Sequence, residues 1–363
     1  MRLLFLPGSR TSPAARFRIW QFVEPLQSLG HHVEVRVTRP DRHWTPPPGV
    51  GLLRKPIGRA ASLVRLLSAA WIARDAGRFD VVVMNRVLIP EVSVSALELL
   101  LAHLNPRLVF DLDDAIYLGQ RGEKLRKILP CFGAVVAGND ELASYLCQHN
   151  ANVRVIPTVA DGERFRPVLR RKPGLLRIGW SGSAEPLRLH LPLIRDAMQD
   201  LARGHEFEFV VVSNQRPTFA WKGVRTRFIK WRTETEIEDL QQFDIGLMPL
   251  PDGPFERAKC AAKAVVYMAV GIPAVISPVG VSKEVVVDGG TGFHCSTRAE
   301  WHARLAELLT DALLRRRFGA AGRARFEKSY SLQAVLPRWA ELLEQMAALR
   351  VVPPLAGHRP VRA

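Results

Sequence analysis

Two lysines spaced four residues apart, Lys259 and Lys263, are the side chains in this sequence best suited to chemistry. A helical pattern runs from about Cys260 to Val270, so both ammonium groups would lie on one helix face. The later turn from Pro278 to Ser282 offers main-chain N–H groups near a helix start, where phosphate groups bind readily. This combination predicts a pyrophosphate site. Solvated lysines on an exposed helix are the alternative interpretation.

A second glycine-containing turn runs from Gly179 to Ser183, after the first apolar run in the second half of the chain. Gly179 and Gly182 have no Cβ, so the main chain there could approach a ligand closely. Arg188 follows within one or two helical turns and would supply positive charge. These residues are a second candidate phosphate site. A tight strand-to-helix turn followed by a solvated arginine would give the same pattern.

Paired carboxylates end an apolar run in the first half of the chain, where Asp113 and Asp114 stand side by side. Such a pair could orient a hydroxyl group or accept its proton. Helix capping with an ion pair to an arginine is an equal alternative, and an Asp-x-Asp metal site is a weaker one. Ser9 and Arg16 follow the first apolar run and are candidates to contact a phosphate group or another ligand, whereas a position on a helix surface is the alternative for Arg16.

Alternating strand and helix patterns would position these side chains at strand ends. Short apolar runs separated by helical patterns recur through both halves of the 363 residues, which is typical of parallel α/β sheets. The length suits two such domains, with a basic linker near Arg166–Gly174. We expect domains at 1–168 and 169–331. We also expect an amphipathic helix at 332–349 and a disordered basic tail at 351–363.

The net charge of +16 favours anionic partners, namely nucleotide diphosphates, anionic lipid surfaces or nucleic acid. Nucleic acid is not expected, because aromatic residues do not interleave with the basic ones in any known module. The pattern of Arg59–Arg78 fits a basic amphipathic helix, which would lie on an anionic membrane or pack on its own sheet. Four scattered cysteines favour the cytoplasm. The net charge and the Arg59–Arg78 pattern, in a sequence without a long apolar run, favour peripheral attachment to the inner face of the cell membrane.

The run from Tyr267 to Phe293 resembles the donor-binding segment of family 4 glycosyltransferases, which have the GT-B fold. Further resemblance lies at Phe110–Ala115, at Ile178–Ser183 and in a helix around Leu305–Arg323, so it covers most of the chain. The elements matching inside the main segment are Tyr267-Met268-Ala269, Gly271, Pro273, Ser277, Gly280, Glu284, Gly289 and Gly292-Phe293.

The resemblance implies two doubly wound Rossmann-like domains that face a cleft, with the C-terminal helix crossing back to the first domain. The first domain would bind a glycan or lipid-linked acceptor, and the second a nucleotide-diphosphate sugar. Transfer would retain the anomeric configuration and need neither a metal ion nor a cofactor. Bacterial relatives commonly build surface polysaccharides or lipid-linked glycans.

The donor site implied by the resemblance lacks both carboxylates of the family pattern. The matching positions are Ala258 and Val266, where Glu256 could replace the first glutamate and Glu284 could contact a ribose or cap a helix. An inactive scaffold that binds a partner or polyanion, and a nucleotide-sugar epimerase, therefore remain alternatives. The predicted donor-binding residues are Gly179, Gly182, Ser183, Arg188, Lys259, Lys263, Gly280, Val281, Ser282 and Glu284, and the catalytic candidates are Asp113, Asp114 and Glu256.

Overall fold

Two six-stranded parallel sheets with helices on both faces form the structure. A computed structural model describes residues 1–38, 67, 71–72, 74–87, 95–168 and 174–349. The first sheet has the order β2-β1-β3-β4-β5-β6 and the second β12-β11-β10-β7-β8-β9. The strands are β1 Arg2–Leu6, β2 His32–Val35, β3 Val81–Asn85, β4 Leu108–Leu112, β5 Ala134–Ala137, β6 Val153–Val155, β7 Leu176–Ser181, β8 Phe207–Ser213, β9 Thr226–Lys230, β10 Ile245–Met248, β11 Ala274–Ile276 and β12 Gly292–His294.

Helices fill the connections between these strands. The α-helices described are α1 Pro13–Ala15, α2 Gln21–Ser28, α3 Ala96–Leu104, α4 Gly122–Ile128, α5 Asp140–Leu146, α6 Ala184–Leu189, α7 Arg195–Leu201, α8 Glu236–Gln241, α9 Pro254–Arg257, α10 Ala262–Ala269, α11 Ser282–Val285, α12 Arg298–Thr310, α13 Ala312–Ser329 and α14 Leu332–Ala348. A π-helical turn, Arg16–Trp20, precedes α2, and 3₁₀ turns lie at Ala76–Arg78, Ile116–Leu118, Leu129–Cys131 and Leu191–Ile194.

Both faces of the sheets are covered, which explains why the central strands are apolar throughout. Every residue of β3, Val81–Asn85, is buried, as a parallel strand between two helical layers should be. The predicted α/β class with two parallel sheets is thereby confirmed. Gly271 ends α10 in a left-handed conformation with φ +70°, the backbone conformation for which glycine is preferred at helix ends.

The last helix, α14, returns to the first sheet. Trp339 and Leu343 of α14 are buried in the same core cluster as β1 and β3, and the Trp339 ring lies 5.8 Å from that of Phe22. The chain passes from one sheet to the other between β6 and β7 and returns between α13 and α14. These two connections are hydrogen-bonded to each other, because Ala160 N donates to Tyr330 O at 3.1 Å and Leu332 N donates to Ala160 O at 2.9 Å. The C-terminal helix therefore crosses back as expected.

Several predicted features fall outside the described residues. Residues 169–173, next to the predicted domain boundary at 168–169, are not described. The same holds for the predicted tail at 351–363 and for most of the predicted helix at Arg59–Arg78. These domain limits and the basic helix therefore stay predictions. Among the described residues, none of the helices combines the length and apolar character that a membrane crossing requires.

Candidate active site between the two sheets

The two sheets meet where the ends of β4 and β5 contact the segment between α9 and α10. Asn139, which caps α5, donates from Nδ2 to Ala258 O at 2.9 Å. Cys260 Sγ donates to Asp113 O at 3.3 Å and packs so closely on Gly138 that a Cβ there would lie 2.3 Å from the sulfur. Parallel α/β sheets bind ligands at the carboxyl ends of their strands. The contact region between the ends of β4 and β5 and the segment between α9 and α10, called the seam below, is therefore the candidate site.

Lys263 lies in the first turn of α10 and faces the turn after β7. Its Cε is 3.1 Å from the position that a Cβ on Gly182 would take, and its Nζ is 5.6 Å from the centroid of the Trp180 ring. Within the described part of the chain, its ammonium has no carboxylate partner within salt-bridge distance. Burial and the neighbouring Lys259 lower the pKa of Lys263 to about 8, while Asp114 acts in the opposite direction. Because burial and a neighbouring positive charge disfavour the charged form of Lys263, a bound anion would stabilise its ammonium.

The backbone at the start of α10 is strained beside this lysine. Ala261 precedes the helix with φ +50° and ψ +29°, a left-handed conformation that is uncommon for a residue with a side chain. Such conformations persist where surrounding contacts enforce them, often at functional sites. Here the nearby Cys260 and Ala258 are held by loops of the first unit, the part of the chain built on β1–β6. The start of α10 is therefore set by contacts between this unit and the second unit, which is built on β7–β12.

The turn after β11 requires glycine at position 280 for two reasons. Gly280 has φ +55°, and a Cβ there would lie 2.0 Å from Arg257 O. The N–H groups of Gly280 and Val281 have no main-chain acceptor among the described residues, so they remain available to a ligand. The Ser282 hydroxyl accepts from Val279 N at 3.0 Å and donates to Ser277 O at 2.9 Å, and the Ser282 N–H donates to Val279 O at 3.2 Å, so its contact with a ligand stays a prediction. Its buried side chain shapes the turn.

The turn after β7 is also shaped by packing. Gly179 lies inside β7, where a Cβ would lie 2.0 Å from the Phe243 ring. Packing alone therefore requires glycine at this position, whether or not a ligand binds nearby. Gly182 donates its N–H to Val212 O at 3.0 Å, and a Cβ there would lie 2.6 Å from the Trp180 ring. Exposed Ser183 occupies the N-cap position of α6 without a side-chain capping hydrogen bond, and the first N–H groups of this helix lie at the turn.

The carboxylates of the first unit have contrasting environments. Arg86, itself left-handed at φ +63°, donates from Nε to Asp113 Oδ1 at 2.8 Å, and its Nη2 lies 3.5 Å from Asp114 Oδ2. Burial opposes ionisation of Asp113, but the charge and hydrogen bond of Arg86 hold its pKa below the usual range. Burial instead raises the pKa of Asp114, although Lys259, with its Nζ 3.9 Å from Oδ1, opposes this.

These environments assign different chemistry to the two aspartates. Asp113 is a fixed anion paired with Arg86, whereas Asp114 Oδ1 is buried and has no hydrogen-bond partner in the described structure. Two acids whose pKa values are pushed apart are the usual arrangement for distinct acid and base roles. Asp114 is therefore the better candidate to accept a hydrogen bond or a proton from a hydroxyl group at the seam.

A buried ion pair supports the loops of the first unit. Arg18 donates from Nε to both carboxylate oxygens of Asp111 at 3.1 Å and from Nη1 to Ile156 O at 2.8 Å. Asn85 donates to Asp111 Oδ2 at 2.8 Å, so the buried carboxylate is held by two partners. This network positions the end of β4 immediately before Asp113.

The remaining predicted residues are spread around the seam. Arg188 is exposed on α6, and Glu284 is exposed on α11, where its main-chain oxygen accepts from Arg325. Ser9 accepts from Ser12 N at 2.9 Å within the loop after β1. Arg16 forms an ion pair with Glu236, and its contact with a phosphate stays a prediction.

Arg16 is held in this position by aromatic rings as well as by charge. Its guanidinium lies 5.3 Å from the centroid of the Phe17 ring and 5.4 Å from that of Trp231. Glu236 begins α8 of the second unit, so the pair joins the two units beside the cleft. A phosphate that bound Arg16 would therefore have to share its guanidinium with Glu236.

Glu256 and two residues outside the predicted site complete the cluster. Glu256, on α9, lies with Oε1 3.3 Å from His190 Nε2. Neither His190 nor Arg86 was among the predicted site residues. Arg86 follows a buried strand, as the aspartates do, and that position was the available signal. A lone histidine after a helical pattern gives no comparable signal.

Comparisons with known proteins agree with this architecture. Residues 176–311 match the family model described as Glycosyl transferases group 1. No curated protein was found to match the sequence significantly. The matched region contains β7, α10 and the Gly280 turn, so its similarity to group 1 glycosyl transferases agrees with the resemblance found in the sequence.

Solved structures with the same fold span nearly the whole chain. A glycosyltransferase from Rickettsia africae superposes with a TM-score of 0.69 at 13% identity, covering 96% of this chain and 99% of that one. Sucrose-phosphate synthase from Thermosynechococcus elongatus gives 0.65 at 15% identity, with 95% and 98% covered. Anabaena HepE in complex with UDP and glucose gives 0.62 at 16% identity, with 95% and 100% covered. At these identities the comparison shows the fold, which is GT-B.

Proposed function

We propose that this chain, whose residues 176–311 form a group 1 glycosyltransferase domain, transfers a sugar from a nucleotide-diphosphate sugar to an acceptor bound by the first unit. The observation that carries the proposal is the Lys263 ammonium, which lies against the Gly182 turn and has no carboxylate within salt-bridge distance in the part of the chain that the structure describes. A diphosphate bound there would compensate its charge. HepE, which has the same fold, forms complexes with UDP and with UDP-glucose.

The donor would lie between two groups of hydrogen-bond donors. Lys263 and the first turn of α6 would bind one part of the diphosphate, and the free N–H groups of Gly280 and Val281 would bind another. Lys259 contributes positive charge from the same segment. Glu284 is exposed near the turn and is the candidate for a contact with the ribose.

We propose that the reaction retains the anomeric configuration and needs no metal ion. In this scheme the leaving phosphate assists deprotonation of the acceptor hydroxyl, and Asp114 orients that hydroxyl at the seam. The lysines supply the positive charge that stabilises the leaving diphosphate as its charge develops. Proton NMR of the first product formed would show its anomeric configuration, and inversion would refute this part of the proposal.

The acceptor that we propose is a glycan or a lipid-linked glycan, used in surface polysaccharide synthesis at the inner face of the cell membrane. The net charge of +16 supports attraction to anionic lipid, at about 1 kcal/mol per basic residue near the surface. Leu67 and Trp71, within the predicted basic helix, are 62% and 60% exposed. Binding to vesicles that contain phosphatidylglycerol should fall as salt rises, and equally negligible flotation with neutral and anionic vesicles at low salt would refute it.

Titration calorimetry with UDP and GDP tests the donor site directly. The wild-type protein should bind at least one of them, and Lys263→Ala should weaken that binding at least tenfold. Lys328→Ala removes the same charge from an exposed position at the end of α13 and is the matched control. Absence of binding of any nucleoside diphosphate at millimolar concentration would refute the proposal.

An inactive scaffold remains the second candidate, because neither family carboxylate is present. Ala258 is fully buried against the core of the first unit, and Val266 is buried within the second. A protein that binds a nucleoside diphosphate but never releases one from any nucleotide sugar would support that candidate. Interconversion of a free nucleotide sugar with its epimer would instead support an epimerase on the same fold.

A further inference from the structure

Lys259 is held at the seam between two residues that contact the first unit. On one side Ala258 O accepts a hydrogen bond from Asn139 Nδ2 at 2.9 Å, and on the other Cys260 Sγ donates to Asp113 O at 3.3 Å. The main chain of Lys259 therefore stays beside the first unit as long as these two contacts persist. Its place at the seam is set by its neighbours and does not depend on its own charge.

The Lys259 ammonium interacts with charged groups of both units. Its Nζ lies 3.9 Å from Oδ1 of Asp114, which belongs to the first unit, and 4.3 Å from the centroid of the Phe255 ring on α9. Burial and then the charge of Lys259 lower the pKa of Lys263, the lysine that lies against the Gly182 turn, to about 8. A diphosphate bound at Lys263 would therefore also attract the ammonium of Lys259.

The contact between Lys259 and Asp114 is an incomplete ion pair. At 3.9 Å it is longer than a hydrogen bond, and Asp114 Oδ1 is buried without a hydrogen-bond partner among the described residues. The two side chains are 24% and 21% exposed, so an anion can reach the ammonium. If Lys259 turned toward such an anion, Asp114 would keep Arg86, whose Nη2 lies 3.5 Å from Oδ2. The carboxylate would then lose one of its two cations.

We propose that Asp114 and the donor diphosphate compete for Lys259, so that binding of the diphosphate draws the ammonium away and frees Asp114 for the acceptor hydroxyl. The inference rests on the proposed function and adds a coupling between its two substrate sites. Burial raises the pKa of Asp114, and Lys259 is the charge that most opposes this, so the freed carboxylate is the stronger proton acceptor. The coupling is reciprocal, because an acceptor bound to Asp114 would favour the diphosphate equally.

Removing the charge of Asp114 tests this competition with UDP and GDP alone, by calorimetry at physiological ionic strength. Asp114→Asn keeps the size of the side chain and removes the competing anion. The variant should bind the nucleoside diphosphate about three- to tenfold more tightly than wild type, the range for an ion pair that is neither fully exposed nor fully buried. A damaged site would bind more weakly, so tighter binding separates the proposal from a structural effect.

Three further variants identify the route of the effect. Asp113→Asn is the matched control, because it removes the same charge from the adjacent residue, which pairs with Arg86. Its dissociation constant should stay within about twofold of wild type, since charges out of direct contact are screened by salt. In a Lys259→Met background Asp114→Asn should also have an effect of less than about twofold, because the shared ammonium is gone. Asp114→Ser repeats the test with a second neutral side chain, so the outcome does not depend on the folding of one variant.

Unchanged or weaker binding of the nucleoside diphosphate by both Asp114 variants would overturn the inference. Equal tightening in Asp113→Asn would overturn it as well, because the effect would then be a general one of net charge. Undiminished tightening by Asp114→Asn in the Lys259→Met background would show that Lys259 is not the shared group. Failure of the wild type to bind any nucleoside diphosphate would instead remove the proposed function itself, and the inference with it.

Discussion

Replacing Lys263 with methionine should stabilise the ligand-free protein while removing its binding of a nucleoside diphosphate. Methionine keeps the apolar stem that packs beside Gly182 and removes the ammonium. The folded-state pKa of Lys263 falls from its ordinary value of 10.5 to about 8, because of burial and of Lys259. The unfolded chain therefore holds this proton more tightly, so the charge destabilises the folded state.

The magnitude follows from linkage. One unit of pKa corresponds to about 1.4 kcal/mol, and the side chain is partly exposed, so we expect a gain of about 1 to 3 kcal/mol in the free energy of unfolding at pH 7. The destabilisation is fully present below pH 8 and disappears as the pH rises through about 8 to 10.5. The advantage of Lys263→Met over wild type should therefore shrink in that window.

Urea denaturation at pH 7 and pH 10, with calorimetry of UDP and GDP at pH 7, measures both effects. Lys328→Met serves as the matched control, because Lys328 is exposed on α13. A variant that is no more stable than wild type at pH 7 and still binds the nucleoside diphosphate with wild-type affinity would refute the reasoning. Loss of stability at both pH values would show that the Lys263 charge is already compensated inside the protein.

Three further predictions concern the same site. The dissociation constant of the nucleoside diphosphate should rise about tenfold between pH 7 and pH 9 as Lys263 loses its proton. In Lys263→Arg calorimetry should show no such rise, and a parallel rise would contradict the assignment. Gly182→Ala should weaken this binding about tenfold, since the new Cβ would lie 2.6 Å from Trp180, whereas Gly204→Ala, with nothing within 4 Å, should not. Equal affinities in both variants would count against the close approach. Turnover should persist in EDTA, and its loss with recovery in manganese would make Asp113 and Asp114 candidate metal ligands.

Local patterns predicted the elements better than the contacts between them. The fully buried run of β3 and the helix end at Gly271 depend on neighbouring residues, so the apolar run and the glycine encode these features locally. Gly179 shows the limit, because its requirement for glycine comes from Phe243, which lies in the loop between α8 and β10. The sequence spacing between them gives no sign of that contact.

The partners of charged side chains were the least predictable part of the site. Arg16 pairs with Glu236 across 220 positions of sequence, and His190 meets Glu256 across 66. Which charge meets which is decided by how the two sheets and their helices are arranged, and no local pattern reports it. Lys263 was identified from its spacing, but only the three-dimensional structure shows that no carboxylate of the described residues lies within salt-bridge distance of its ammonium.

Sugar transfer by this chain is tested by the release of UDP or GDP from a panel of nucleotide sugars, measured over long incubation with and without candidate glycan acceptors. We expect the wild-type protein to release the nucleoside diphosphate from at least one donor, and faster with a suitable acceptor, and we expect Lys263→Met to lose that release. Binding of a nucleoside diphosphate without release from any donor in the panel would contradict the claim that this chain transfers sugars.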